Sequence, residues 1–233
     1  MTTADPWVDL LAADRSLLDR TSTAERVADV LRQRIIDGAL APGTRLSEES
    51  AGRALAVSRN TLREAFRLLV HERLLVHEFH RGVFVRVLSA DDVIDLYRMR
   101  RLLETSAVRR AAEAAPELVA AVDRAVSDGE RAAEAERWLD VGTANMRFHE
   151  ALAALAASPR VNETMRQLLA ELRLAFHVMS RAQEFHEPYL ELNREIADLI
   201  SQRAMQAAAD RLDEYFDAAE TQLVAAYRDY TPK

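Results

Sequence analysis

The amino-acid sequence predicts a mostly α-helical protein with one small β-hairpin, divided in two near residue 88. Three observations carry that prediction. The 233 residues include only 6 glycines and 6 prolines, while the strong helix formers Ala, Leu, Arg and Glu recur throughout. Apolar periodicity is helical almost everywhere and switches to a period of two only between about residues 75 and 87. Charge is split at the same place. Residues 23–88 hold 11 arginines against 8 acidic groups, net +3, whereas residues 89–233 are net −8.

Taken in order, residues 1–22, with Pro6, Trp7 and LLAADRSLLDR, are expected as an N-terminal arm, either a short amphipathic helix or a frayed segment. TSTAERVADVLRQRIIDGAL predicts a helix. Ser22 or Thr23 caps it, Val27, Val30, Leu31 and Ile35 recur at helical spacing, and Gly38 ends it. APGTRL is a turn. Ser47 caps a second helix, SEESAGRAL. AVS connects it to a third, RNTLREAFRLLVHERL, capped by Ser58, with Leu62, Phe66, Leu69 and Val70 as its buried stripe. In LVHEFHRGVFVRVL, Leu75, His77 and Phe79 alternate with Val76, Glu78 and His80. Val83, Val85 and Val87 alternate after Gly82, so two strands flank HRG.

From Ser89 the pattern is helical to the end. Ser89 caps a helix that carries Asp91 and Asp92 in its first turn and runs to Pro116. Further helices are expected over about 117–135, 138–156, 159–181, 189–202 and 204–228. The parts are thus an arm over 1–22, a mixed module over 23–88 and an all-α helical bundle over 89–233.

Composition limits the function. An apolar content of 49% supplies a real core. The absence of cysteine excludes disulfides, thiolate metal sites and a cysteine nucleophile. No apolar run approaches the roughly 20 residues of a membrane span. The N-terminus lacks the basic-then-apolar pattern of a secretion signal, so a cytoplasmic location is expected.

Two helices joined by a tight turn, the second polar at its start, followed by a hairpin with a basic tip, make a winged helix-turn-helix. The DNA major groove admits one such helix. The start of the third helix presents Ser58, Arg59, Asn60, Thr61 and Arg63. Arginine pairs bidentately with guanine and Asn with adenine, while hydroxyls and backbone N–H groups hold phosphate. The tip His80-Arg81-Gly82 is placed to reach the minor groove or a phosphate, glycine allowing close approach. An arginine-rich helix start alone is also what a solvated face looks like. The ordered series of helix, PGTRL, helix, AVSR, helix and HRG hairpin separates the two.

Residues 23–88 resemble the DNA-binding domain of the GntR regulator superfamily. The segments that carry the resemblance are IIDGALAPGTRL, AVSRNTLREAFRLL, ERLL and RGVFV. Three positions depart from the family pattern: Ala56 and the residue before the leucine in ERLL, where glycine is usual, and Glu49, where several members place an arginine. The resemblance implies double-stranded operator DNA as partner. It adds Arg45 to Ser58, Arg59, Asn60, Thr61, Arg63 and the His80–Gly82 tip as DNA-binding residues.

LYRMRRLLE (96–104), NMRFHEAL (145–152) and NREIADLI (193–200) resemble motifs of the FCD effector domain of the FadR subgroup. In many FCD proteins one Asp and three His hold a divalent metal that helps bind a small carboxylate. Carried over, those positions are Asn145, His149, Asn193 and Tyr215. Only His149 is a good ligand, and zinc or nickel needs several imidazole or charged donors. No tightly held metal or other cofactor is therefore expected, with His177 and His186 as substitute ligands if the register is shifted. Arg100, Asn145, His149, Asn193 and Tyr215 are instead expected to line a cavity for a small anionic effector such as a carboxylate. Arg100 has a rival use, a salt bridge to Glu104 at i, i+4. His149 has one too, a buried bond to Asn145 or Asn193.

The resulting expectation is a ligand-responsive transcription regulator, a homodimer on a pseudo-palindromic operator. Its effector changes the relation between two DNA-reading heads. Two alternatives stand beside it: a constitutive, effector-independent DNA-binding protein, and a metal-dependent helical-bundle enzyme. The body shows neither the ligand set nor the activated base that an enzyme needs.

Overall fold

Ser22 opens the first helix, α1 (Thr23–Ile36), by a reciprocal cap. Its hydroxyl accepts from the Glu25 N–H at 3.1 Å, and its own N–H donates to the Glu25 carboxylate at 2.6 Å. The computed structural model describes residues 22–36, 39–179 and 182–229, in two compact units that meet between Arg86 and Val87. The arm over 1–21 and the helix stop at Gly38 lie outside the described residues.

In the first unit a short strand, β1 (Arg45–Leu46), leads into α2 (Glu48–Leu55), α3 (Arg59–His71), β2 (Leu75–Glu78) and β3 (Gly82–Val85). The expected hairpin is present but belongs to a three-stranded antiparallel sheet in the order β1-β3-β2. Arg45 stands opposite Phe84 and Leu46 opposite Val83. The sequence treats this stretch as part of a turn because two residues show no periodicity. What fixes the strand is backbone bonding, with the Gly43 N–H donating to the Val85 carbonyl and the Val85 N–H to the Thr44 carbonyl, both at 2.9 Å.

Leu62, Ala65, Phe66 and Leu69 form the buried side of α3 and pack on Val27, Leu31 and Ile35 of α1, with Leu74, Leu75 and Val85 closing the core. Val30 and Val70, expected in those stripes, are on the surface. They sit one position away from the buried residue of each turn, and the stripe is narrower than their hydrophobicity suggests. Phe79 is 81% exposed, because β2 stops at Glu78 and the alternation ends with it. Arg32 of α1 grips Glu72 at the end of α3 in a two-pronged pair, with both N···O distances 2.6 Å.

The second unit is entirely helical among its described residues: α4 (Ala90–Arg109), a 3₁₀ turn (Ala111–Glu113), α5 (Pro116–Glu134), α6 (Trp138–Ala154), α7 (Pro159–Ala175), a 3₁₀ turn (Phe176–Val178), α8 (Ala182–Ser201) and α9 (Met205–Asp229). Ser89 and Asp92 form a full capping box at the start of α4. Helix α8 begins well before the expected residue 189, because Pro188 lies inside it rather than in a break. A proline has no N–H for the carbonyl four residues back. That carbonyl, of Glu184, accepts instead from the Gln222 side chain of α9 at 3.4 Å, while Gln222 Oε1 accepts from the Tyr189 hydroxyl at 2.6 Å. The buried residues Phe185, Tyr189, Ile196 and Ile200 keep the helix in place.

The two positions that lack the family's glycine both adopt left-handed backbone: Ala56 at φ 52° after α2, and Arg73 at φ 58° after α3. A side chain there costs roughly 1 kcal/mol relative to glycine. Ala56 is exposed and caps α2 through its N–H. Ala56→Gly should therefore raise stability by about 1 kcal/mol, read as a higher denaturant midpoint with an unchanged slope.

Candidate nucleic-acid interface and buried polar site

Helix α3 begins on the Ser58 hydroxyl, which accepts from the Thr61 N–H at 3.1 Å and lies 2.8 Å from the Thr61 hydroxyl. Both hydroxyls are thus engaged in the cap. Arg59 and Asn60 are exposed and, among the described residues, have no side-chain partner. Arg63 is exposed but paired with Glu48 of α2 at 2.9 Å. At the hairpin tip His80 and Gly82 take positive φ, 61° and 110°. Arg81 pairs with Glu78 and lies over the Phe84 ring. A Cβ on Gly82 would stand 3.4 Å from Arg45 Nε, so the bare glycine lets the Arg45 side chain lie across the strand end. Strand β1 therefore brings Arg45 to the hairpin tip, a neighbourhood the sequence did not disclose. Glu49 pairs with Arg53 one turn on at 2.8 Å, which meets its charge within α2.

In the helical unit the five expected effector residues lie together in the interior. Arg100 and Glu104 on α4, Asn145 and His149 on α6, Asn193 on α8 and Tyr215 on α9 are all buried. Arg100 Nε donates to Glu104 Oε1 at 3.0 Å, and its guanidinium lies over the rings of Tyr97 and Phe216. The other Glu104 oxygen is 2.6 Å from His149 Nδ1. A carboxylate only accepts, so Nδ1 carries the proton and Nε2 is the acceptor. The Tyr215 hydroxyl, 3.0 Å away, donates to Nε2. Its oxygen accepts from Asn145 Nδ2 at 3.1 Å, and Asn145 Oδ1 accepts from Asn193 Nδ2 at 2.8 Å. Every donor in the chain points towards Glu104.

The chain has two open ends. Arg100 Nη2 at one and Asn193 Oδ1 at the other are buried without a hydrogen-bond partner. Asn193 and Asn145 border a cavity of about 10 Å³, room for one water molecule. His186, also on its wall, leaves Nδ1 without a partner. A Cβ at Gly142 would fall 2.6 Å from His186 Nε2, so only glycine fits under the ring.

Two family models match the chain. That of the gntR family of bacterial regulatory proteins covers residues 23–85, and that of the FCD domain covers residues 95–218. The chain belongs to the GntR family. The Nta operon transcriptional regulator of Aminobacter aminovorans is 31% identical over 182 residues, which span 76% of this chain and 84% of that protein. The gluconate operon transcriptional repressor of Bacillus subtilis is 38% identical over 93 residues, 40% of this chain and 38% of that one. A crystal structure of a GntR transcriptional regulator from Rhodococcus sp. RHA1 is 45% identical, with a TM-score of 0.83 over 89% of this chain and all of that one. This GntR–FCD protein is accordingly a DNA-binding regulator of transcription and not an enzyme.

The metal common among FCD domains does not suit this regulator's residues. His149 has both nitrogens engaged, and Tyr215 occupies the side of Nε2 that a metal would need. Burial holds the Tyr215 hydroxyl far above its ordinary pKa, so it offers no phenolate. The two asparagines are spent on each other and on Tyr215. Among the described residues no group of three His, Asp or Glu side chains gathers anywhere in a metal-binding arrangement. His186 sits at the edge of the small cavity, and His177 is exposed, so neither completes a ligand set.

Sequence reasoning placed Glu104 only as a rival partner for Arg100. The structure gives that salt bridge and adds a second role, in which Glu104 also fixes the His149 tautomer. His149 bonds neither asparagine directly, as its rival reading had it; Tyr215 stands between. The signal for Glu104 was its i, i+4 spacing from Arg100. Nothing in the sequence tied it to His149, 45 residues away.

Burial, with the Arg173 charge, pushes His186 down from 6.5 to about 4, and burial likewise lowers His149. Both are neutral at pH 7, whereas the unfolded chain protonates them near 6.5. Stability present at neutral pH is therefore lost as pH falls from 6.5 towards 4, with His186 accounting for at most roughly 3 kcal/mol. Urea unfolding across that range should show the decline, and His186→Gln should flatten it.

Proposed function

We propose that this regulator is a homodimer that reads a pseudo-palindromic operator through α3 and the hairpin, and that a small anionic metabolite, such as a carboxylate, controls it through the buried network. In the reading helix, Arg59 and Asn60 meet base edges in the major groove. Arg63 joins them by exchanging Glu48 for DNA. Ser58 and Thr61 hold the helix start, whose N–H groups face phosphate. Arg45, His80, Arg81 and Gly82 follow the backbone or minor groove beside the wing. The free, exposed side chains of Arg59 and Asn60 support this placement.

One winged module reads too little sequence alone, and paired modules read half-sites about a helical turn apart, or a multiple of it. Exposed Leu102 and Met99 on α4 and Leu139 on α6 supply apolar surface for self-association. Relatives such as the gluconate operon transcriptional repressor of Bacillus subtilis support repression as the mode of control.

The observation behind effector control is the unpaired Nη2 of a fully buried arginine. A buried charged donor without an acceptor is costly, and a ligand carboxylate entering beside Glu104 would complete it in fork geometry. Asn145, His149, Asn193 and Tyr215 then orient the rest of the ligand. The tightly bonded network and its small cavity also favour a second reading, a constitutive DNA-binding protein whose former effector site has become a structural core.

Two measurements test these readings. Arg59→Ala and Arg63→Ala should each weaken operator binding by roughly 1–3 kcal/mol at fixed salt if they read guanine; unchanged affinity in both removes α3 from the interface. A thermal-shift and operator-release screen of small carboxylates should yield a compound that releases DNA. Its effect should vanish in the shape-keeping double variant Arg100→Met, Glu104→Gln, which leaves no buried charge alone. If no carboxylate shifts melting or DNA release, the constitutive reading stands.

A further inference from the structure

A second polar site lies on the same helical unit, away from the buried network. Helices α5, α6 and α7 line an open groove of about 450 Å³, a size usual for small-molecule sites. Its floor is made by Ala121 and Ala125 of α5 and Ala151 and Ala154 of α6. On both helices the lining residues recur at i, i+3, i+4 and i+7, one face each. Short side chains at those positions open the groove, where leucines would have filled it.

Three arginines, one from each helix, stand around this floor: Arg124, Arg147 and Arg166. Arg124 and Arg147 make no hydrogen bond or ion pair among the described residues, and Arg166 reaches back only to Glu163 on its own helix. In a body of net charge −8 such a convergence is not what a solvated acidic surface requires. Of the two carboxylates on the walls, Asp128 is held by Arg131. Glu150 loses enough hydration between the helices that its pKa rises, although Arg166 and Arg147 pull it down. Neither carboxylate neutralises the free arginines by direct contact. Asn162, also on the wall, has its side-chain oxygen shielded from solvent with no donor to meet it.

We propose that this groove binds a small dianion that carries a hydroxyl group. The arginines take the charged oxygens, and the Asn162 carboxamide, turned into the groove, meets the hydroxyl. Arginine forks match carboxylate and phosphate oxygens equally, so a hydroxydicarboxylate and a phosphate ester share the required chemistry. The groove lies across α6 from Asn145 and His149, whose side chains point into the core, so it is a site distinct from the Arg100 network. It does not depend on that network's binding anything.

Isothermal titration of the full-length protein with malate, succinate, glycerol 3-phosphate and inorganic phosphate tests the proposal. Saturable binding of malate or glycerol 3-phosphate at one per chain is expected, and whichever binds identifies the source of the dianion. Succinate, which lacks the hydroxyl, should bind more weakly than malate. Arg124→Ala with Arg147→Ala should weaken binding by about tenfold or more. Arg98→Ala, which removes one positive charge at an exposed position of α4, should leave it unaltered. The double variant Arg100→Met, Glu104→Gln should also bind normally, which separates this site from the effector reading above. Binding by none of the four probes, or binding that falls equally in Arg98→Ala, overturns the proposal.

Discussion

The helical unit is organised around one carboxylate. Glu104 is fully buried, and an isolated charge there would be strongly unfavourable. Two donors stabilise it, the Arg100 guanidinium and the His149 Nδ1–H. Those two commitments decide the rest. With Nδ1 protonated, Nε2 must accept, so Tyr215 must donate, Asn145 must turn its amide nitrogen to Tyr215, and Asn193 must turn its own to Asn145. Four helices are thereby joined through a set of contacts in which each group has one permitted orientation. A chain of this kind specifies alignment between helices more sharply than apolar packing, which tolerates sliding.

Much of the architecture was legible in the sequence because it rests on local rules. The caps at Ser22, Ser47, Ser58 and Ser89 and the period change near residue 75 are each set by residues within one turn of one another. What was not legible depends on distant partners. β1 exists only because β3 lies beside it. Pro188 stays inside a helix with help from α9, which supplies a donor to the Glu184 carbonyl. The exposure of Val30 and Val70 depends on how wide a strip of each helix the neighbours cover.

The site divides in the same way. Spacing and resemblance gathered Arg100, Asn145, His149, Asn193 and Tyr215, and these residues do meet in space. Their mutual bonding was hidden, because the pairings cross 45 to 70 residues of chain. On the proposed DNA-reading face, sequence named the residues but not their present engagements. Arg63 and Arg81 are held by Glu48 and Glu78, while Arg59 and Asn60 have no side-chain partner among the described residues. These ion pairs lie at the surface, where they are worth little and exchange readily, so an arginine held in this way is kept extended at small cost to any later contact.

Pro188 has a consequence for how the bundle assembles. An uninterrupted helix closes its own carbonyls as it grows, so each turn is complete as soon as it forms. In α8 the Glu184 carbonyl, which Pro188 cannot serve, accepts from Gln222, 38 residues further along the chain. One hydrogen bond of the first turns of α8 therefore forms when α9 docks, and a local element is tied to a long loop closure. Helix α9 thus supplies its neighbour with a hydrogen bond that the proline cannot make.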